Sequence, residues 1–268
     1  MLAAAPDRSA LRAAAAAILE TVPIGRRHSE GRHEAEDHAG GNRDDEREQQ
    51  HLGVDSDLMG VFVIDGGDNW KVSLATGKPE FTEVFLKACR DSVDVAKRVN
   101  AKWMTVVPGY FERNLPIGIQ TGNVIDALKK GADILAPHNL TMVLEPLSDN
   151  PDLFLRTSDQ AYMVCRAVGS PACKILFDMY HMQRNEGRMI EHMDWAWEEV
   201  AYFQIGDVPG RKEPGTGEMN YRNIFAHIAQ KAAQSNRDFV LGMEHGNAQP
   251  GADGELKLID AYVAADQF

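Results

Sequence analysis

The stretch "FDMYHMQRNEG", Phe177–Gly187, runs an apolar segment straight into aspartate, histidine, glutamine and arginine within seven residues. The preceding "KIL", Lys174–Leu176, extends the apolar run upstream, and glycine closes the polar tail. A buried strand whose end opens into a pocket accounts for that order of residues. If so, other strands of the chain should deliver similar chemistry to the same place.

From Leu58 onward, short β-rich runs alternate with helical patterns. "LMGVFVID" (58–65) precedes "FTEVFLKACRDSVDVAKRVN" (81–100), and "KWMTVVPG" (102–109) precedes "GNVIDALKKGADILAPHN" (122–139). "TMVLEP" (141–146) leads to "SDQAYMVCRAVG" (158–169), and "KILFDMY" (174–180) to "MIEHMDWAWEE" (189–199). "VAYFQIGD" (200–207) and "FVLGMEHG" (239–246) open the last two units, whose helices are 221–235 and 255–265. Near-continuous apolar strands separated by helices predict a parallel sheet covered by helices. Doubly wound sheets and (β/α)8 barrels share that pattern. The first strand–helix turn lacks the GxGxxG of a dinucleotide-binding sheet.

The strand ends favour the barrel. "TMVLEP" reaches Glu145, "KILFD" Asp178, "VAYFQ" Gln204 and "FVLGMEH" Glu244, at spacings of 33, 26 and 40 residues, about one βα unit each. In a barrel the C-terminal strand ends converge on one face, where sites are built. Three carboxylates and an amide brought together repel unless a cation joins them. All-oxygen ligation suits Mg²⁺ or Mn²⁺ better than Zn²⁺, which prefers nitrogen and sulfur. The long loop "GDVPGRKEPGTGEMNY" (206–221) is expected to line the mouth; its "GTG" lacks the lysine–serine pair of a phosphate loop. His245, next to Glu244, should point to the opposite face and be structural.

Bulk properties set limits. The 268 residues are 44% hydrophobic and 25% charged, as in an ordinary globular protein. A net charge of −12 argues against nucleic-acid binding, which relies on clustered Lys and Arg. Cys89, Cys165 and Cys173 show no CxxC spacing and read as buried thiols in a reducing compartment. No run approaches the roughly 20 apolar residues of a membrane helix. The opening "MLAAAPDRSALRAAAAAILETV" is interrupted by Asp7, Arg8 and Arg12, so it reads as an alanine-rich helix and the protein as cytoplasmic. Residues 28–50 hold eight acids against three Lys or Arg and almost nothing to bury. They are expected to be a mobile, solvated tract. His28, His33, His38 and His51 dot this region without regular ligand spacing.

At "FDMYHMQRNEG" together with "FQIGDVPGRKEPGTGEMNY" the chain resembles the hydroxypyruvate isomerase family of the xylose-isomerase-like (β/α)8 TIM barrels, and "VLEP" and "GMEH" fit its remaining ligand strands. The likeness spans roughly residues 58–262. It implies a divalent metal, Mg²⁺ or Mn²⁺, held by Glu145, Asp178, Gln204 and Glu244. It further implies that Glu145 and Glu244 are the catalytic pair exchanging a proton, with His181 and Arg211 on substrate oxygens. The implied activity is interconversion of hydroxypyruvate and tartronate semialdehyde through an enediolate. Ketose 3-epimerases and other small-sugar isomerases are the alternatives, as is a barrel that binds sugar or metal without turnover. Many members of the superfamily are dimers or tetramers, so a homo-oligomer is among the implied assemblies.

A keto-acid substrate needs a cation besides the metal. Arg211 is the first candidate, and Lys71, in "DGGDNWKVS", the second. A neutral ketose would instead stack on Trp70 or Tyr110. The chain departs from the family at its front. Residues 1–57 supply an alanine helix and the charged tract where a barrel places two strand–helix units. The expected organisation is therefore an atypical segment, 1–57, and a barrel domain, 58–268, whose opening βα region is incomplete or altered.

Overall fold

The computed structural model of the protein describes residues 61–63 and 72–268. The segment 1–57, with its histidines, and Trp70 and Lys71 lie outside the described residues. Six strands form one sheet in sequential order, every neighbouring pair parallel. They are β1 (Val61–Val63), β2 (Trp103–Val106), β3 (Thr141–Leu144), β4 (Cys173–Asp178), β5 (Val200–Ile205) and β6 (Leu241–Met243). Between them run α1 (Pro79–Val99), α2 (Ile117–Leu135), α3 (Ser158–Val168), α4 (Met179–Asn185), α5 (Met189–Ala196) and α6 (Tyr221–Ser235), and α7 (Gly251–Ala265) follows β6. Sequential parallel order with a helix in each connection is the winding of a βα barrel wall.

Strands β2 to β5 are largely buried on both faces, which explains why they read as apolar runs rather than alternating ones. Met142, Leu144, Ile175, Phe177, Phe203 and Ile205 join the large core shared with the helices. Val143, Leu176 and Tyr202 form a separate cluster, with Trp103 and Val240 against it. Side chains two apart on a strand share a face. Counting on by two from Val143, Leu176, Tyr202 and Gly242 gives Glu145, Asp178, Gln204 and Glu244. All four therefore issue from the face of the second cluster.

Register brings them level. Leu176 pairs with Tyr202 and Asp178 with Gln204, after a shift at Ile175/Leu176 that leaves an extra residue in β5. Gln204 in turn pairs with Gly242. Gly242 makes room for Tyr202: a Cβ there would lie 2.0 Å from the Tyr202 hydroxyl oxygen. Sheet pairing continues just past two strand ends, where Glu145 N–H donates to the Val106 carbonyl at 3.2 Å and Glu244 N–H to the Ile205 carbonyl at 3.1 Å.

Two strands depart from the sequence expectation. The strand expected through Tyr180 stops at Asp178, and α4 begins at once with Asp178 as its N-cap. The Asp178 carboxylate accepts the N–H groups of Tyr180 and His181, a favourable exchange for a donor otherwise left orphaned in the first turn. The expected strand 239–246 is likewise shorter, spanning Leu241–Met243. All three cysteines are buried and free. Among the described residues no helix is long and apolar enough to cross a membrane.

Candidate active site

Glu145, Asp178 and His181 lie together, each offering a ligand atom within 4.8 Å of the others, and all three are buried. The His181 Nε2 is 3.5 Å from Asp178 Oδ2 and 3.9 Å from Glu145 Oε1. His181 reaches this position because α4 starts at Asp178, and residues three apart on a helix are neighbours.

The state of that imidazole is fixed from its other side. Ser148 N–H donates to His181 Nδ1 at 3.2 Å, and the Ser148 hydroxyl lies 2.8 Å from the same nitrogen. A ring nitrogen that accepts from an amide carries no proton, so the neutral ring carries its proton on Nε2. Burial, then the charges of Arg211 and Arg184, lower the His181 pKa to about 3, which keeps it neutral. His181 therefore presents an N–H donor to the carboxylates and has no lone pair there for a cation. The oxygen donors, not the histidine, form the ligand-capable set.

Asp178 divides its two oxygens. Oδ1 caps α4, while Oδ2 accepts from Arg211 Nη2 at 2.9 Å. The same guanidinium nitrogen is 3.0 Å from Glu244 Oε2, and Arg211 Nε donates to the Glu244 carbonyl at 3.0 Å. Arg211 also packs on the Tyr180 ring, 4.9 Å from its centroid. Burial would lower the Arg211 pKa, but Asp178, Glu244 and Glu145 outweigh it and the net shift is upward.

The carboxylates themselves are crowded. Glu145 is raised well above the ordinary range by burial, then by Glu244 and Asp178. Asp178 is raised by burial, against the opposing pull of Arg211. Glu244 sits at the rim with 46% of its side chain accessible. Surrounding protein and then the Asp178 charge push its pKa up to about 7. One guanidinium and one neutral ring thus face three carboxylates. The Gln204 Oε1 is buried without a hydrogen-bond partner, one of three such side-chain atoms among the described residues. A buried acceptor left unpaired is costly. An all-oxygen cation would satisfy Gln204 Oε1 and relieve the carboxylate repulsion together, so the residues fit a hard divalent ion.

The structure thus gathers Glu145, Asp178, His181, Arg211 and Glu244 through direct contacts, with Gln204 beside Asp178 in register. Lys71 lies outside the described residues. Sequence reasoning gave no role to Ser148, which fixes the His181 tautomer, or to Tyr180, the platform under Arg211. Ser148 has no local motif to betray it, whereas Tyr180 lay inside the quoted "FDMYH" stretch. His245 Nε2 lies 2.7 Å from the Tyr262 hydroxyl on α7, and the two rings stack. A separate apolar cavity of about 620 Å³, lined by Phe225, Ile228, Phe239, Leu241, Tyr262 and Val263 among others, contains none of the four strand-end donors.

Fold and site together define a parallel βα barrel whose strand ends carry an oxygen-rich, cation-ready mouth. The chain belongs to the xylose isomerase-like TIM barrel family, whose profile matches residues 49–262. It is 33% identical over 142 residues to hydroxypyruvate isomerase of Escherichia coli K12, covering 52% of this chain and 53% of that one. It is 33% identical over 103 residues to 2-oxo-tetronate isomerase of Cupriavidus necator, covering 38% and 40%. The chain spans about half the length, or less, of these curated relatives. Among solved structures, the family 2 AP endonuclease of Brucella melitensis superposes with a TM-score of 0.69 at 21% identity, over 80% of this chain and 81% of that one.

Proposed function

We propose that the protein is a metal-dependent isomerase of the aldose–ketose type that interconverts hydroxypyruvate and tartronate semialdehyde. The observation that carries this reading is the mouth itself: three crowded carboxylates and the unpartnered Gln204 Oε1, beside a neutral N–H imidazole and a guanidinium. The likeness to two relatives named as isomerases of small keto acids supports the same chemistry. Glu145, Asp178, Gln204 and Glu244 would hold the ion, Mg²⁺ or Mn²⁺ by the hardness of the donors. A divalent ion there would act as a Lewis acid on the substrate's carbonyl and hydroxyl oxygens.

The chain's own residues divide the remaining work. Glu145 and Glu244 are the acid–base pair: one takes a proton from the hydroxyl-bearing carbon, a proton returns at the adjacent former carbonyl carbon, and the hydroxyl proton passes to the former carbonyl oxygen. In the metal-free site both are raised by burial and by neighbouring carboxylates. His181 donates its Nε2–H to a substrate oxygen on which negative charge develops in the enediolate. The substrate carboxylate calls for a guanidinium. Arg211 lies on the Tyr180 ring, 4.9 Å from its centroid, as the guanidinium of the mouth, while Arg184, 5.1 Å from the same ring, is paired with Asp149. A guanidinium at that wall favours a keto acid over a neutral ketose.

A coupled assay tests the reading. Hydroxypyruvate turnover should vanish on chelation and return with Mg²⁺ or Mn²⁺. Turnover confined to neutral ketoses would reject the substrate assignment, and full activity after exhaustive chelation would reject the metal.

A further inference from the structure

The loop between β5 and α6 carries Arg211 to the mouth, and one buried side chain organises it. Asp207 is 1% exposed. Its Oδ1 accepts the N–H groups of Val208 at 2.9 Å and Met219 at 3.1 Å; its Oδ2 accepts those of Gly215 at 2.9 Å and Gly217 at 3.0 Å. Backbone groups of the same residue close the near side: Asp207 N–H donates to the Lys212 carbonyl and Arg211 N–H to the Asp207 carbonyl, both at 2.8 Å. The start, middle and end of the loop thus converge on one carboxylate. Gly217 permits that convergence, because a Cβ there would lie 2.0 Å from the Val208 carbonyl oxygen and 2.7 Å from Asp207 Oδ1.

Arg211 sits on this frame in the left-handed region, at φ 49°. A residue with a side chain keeps that conformation only where its surroundings over-determine it. The Asp207 network supplies the determination on one side. On the other, Gly246 N–H donates to the Arg211 carbonyl at 3.1 Å, and Ala248 N–H donates to Glu213 Oε2 at 2.8 Å, tying the loop to the segment after Glu244. We propose that Asp207 is a positioning residue: its carboxylate, gathering four backbone N–H groups, fixes the loop so that Arg211 is held against Asp178 and Glu244. Asp207 itself touches neither carboxylate in this arrangement; it acts through Arg211. The kinetic arm of the test rests on the isomerase reading, and the Mn²⁺ arm on the cation site proposed with it.

A double-mutant cycle on the full chain separates positioning from mere structural support. D207N keeps the shape but swaps an acceptor oxygen for an NH₂ that faces other donors. R211Q removes the guanidinium. In calorimetric titrations with Mn²⁺, R211Q should bind the ion at least threefold more tightly, since a cation no longer competes for Asp178 Oδ2 and Glu244 Oε2. D207N should shift binding in the same direction, and the double variant should match R211Q alone. With hydroxypyruvate, each single change should lower kcat/KM at least tenfold, mainly through KM, and the double variant should be no worse than R211Q. D207N acting by the same factor with and without Arg211 would overturn the proposal. If D207N does not fold, D207E, which keeps both acceptor oxygens but displaces them by a methylene, must show the same non-additivity. Mn²⁺ binding without hydroxypyruvate turnover would refute the isomerase reading, while the Mn²⁺ cycle still decides the role of Asp207.

Discussion

Two acidic sites lie at opposite ends of neighbouring strands, and they are balanced differently. Near the start of β5, Glu199 is 4% exposed and meets two cations, Lys174 Nζ at 2.6 Å and Arg166 Nη1 at 3.2 Å. At the far ends, Glu145, Asp178 and Glu244 share Arg211, with a neutral His181 beside them. The first cluster has cations to spare; the second is short of positive charge. A barrel's lower end serves stability, while its upper end carries the site. Charge balance draws that division here in terms of two small groups of residues.

Neutralising one acid at each end should produce opposite phenotypes, and this is the largest expected effect. Glu145→Gln should lower turnover by about 10²–10⁴-fold, the range of a positioned acid–base group. Its melting temperature in the absence of metal should hold or rise, because a repelling carboxylate is gone. Glu199→Gln should leave kcat unchanged and destabilise the fold by about 2 kcal/mol, since Lys174 loses its buried partner but remains partly solvated. For a domain of this size that is a fall of roughly 4–8 °C. Paired kinetics and thermal melts of the two variants decide the matter. A catalytic defect in Glu199→Gln, or normal turnover in Glu145→Gln, would erase the distinction.

The same imbalance predicts a pH effect of intermediate size. Folded Glu244 keeps its proton up to about pH 7, whereas its ordinary value is 4.5. Across that window the folded state binds more protons than the unfolded chain, so stability falls as pH rises. Glu145 is shifted in the same direction. His181 acts oppositely between about 3 and its ordinary 6.5, where the unfolded chain binds the extra proton, and so offsets the carboxylates below 6.5. Metal-free protein should therefore lose melting temperature from pH 6.5 to about pH 8. Saturating Mn²⁺ should reverse the slope, because its ligands must be deprotonated. Equal slopes with and without Mn²⁺ would mean the carboxylates do not meet the ion.

How much of this was legible in the sequence follows from what leaves a mark on side-chain order. Strand-end donors did, because one βα unit separates each from the next and buried parallel strands read as apolar runs. α4 did not: seven residues are too few for a helical period, and its Asp178 cap looked like the end of a strand running into a loop. The face shared by Glu145, Asp178, Gln204 and Glu244 could be guessed from alternation, but the register shift in β5 that levels Gln204 with Asp178 could not. Asp207 was visible as a residue and invisible as a hub, since its partners are backbone N–H groups that no residue type advertises. Arg211 was expected to face substrate; its pairing with two of the four donors emerges only when loop and strand ends meet. The expected first two units fall in residues 1–57, whose composition offers no strand pattern and which lie outside the described residues.

The smallest effect concerns the neutral imidazole at the mouth. Ser148 reaches His181 twice, through its backbone N–H and its hydroxyl. Ser148→Ala removes only the hydroxyl, so the amide still holds Nδ1 as an acceptor and the proton stays on Nε2. A single neutral hydrogen bond contributes about 1 kcal/mol, which sets an upper bound of roughly fivefold on the loss of kcat. The expected change is about threefold, with Mn²⁺ affinity unaltered because the ring is not a ligand. If His181 instead held the ion through Nε2, its proton would have to move to Nδ1 or be lost, and the hydroxyl would become the acceptor that stabilises the Nδ1–H form. Ser148→Ala would then weaken Mn²⁺ binding measurably. Titrating that variant with Mn²⁺ therefore separates a histidine that donates to substrate from one that binds metal.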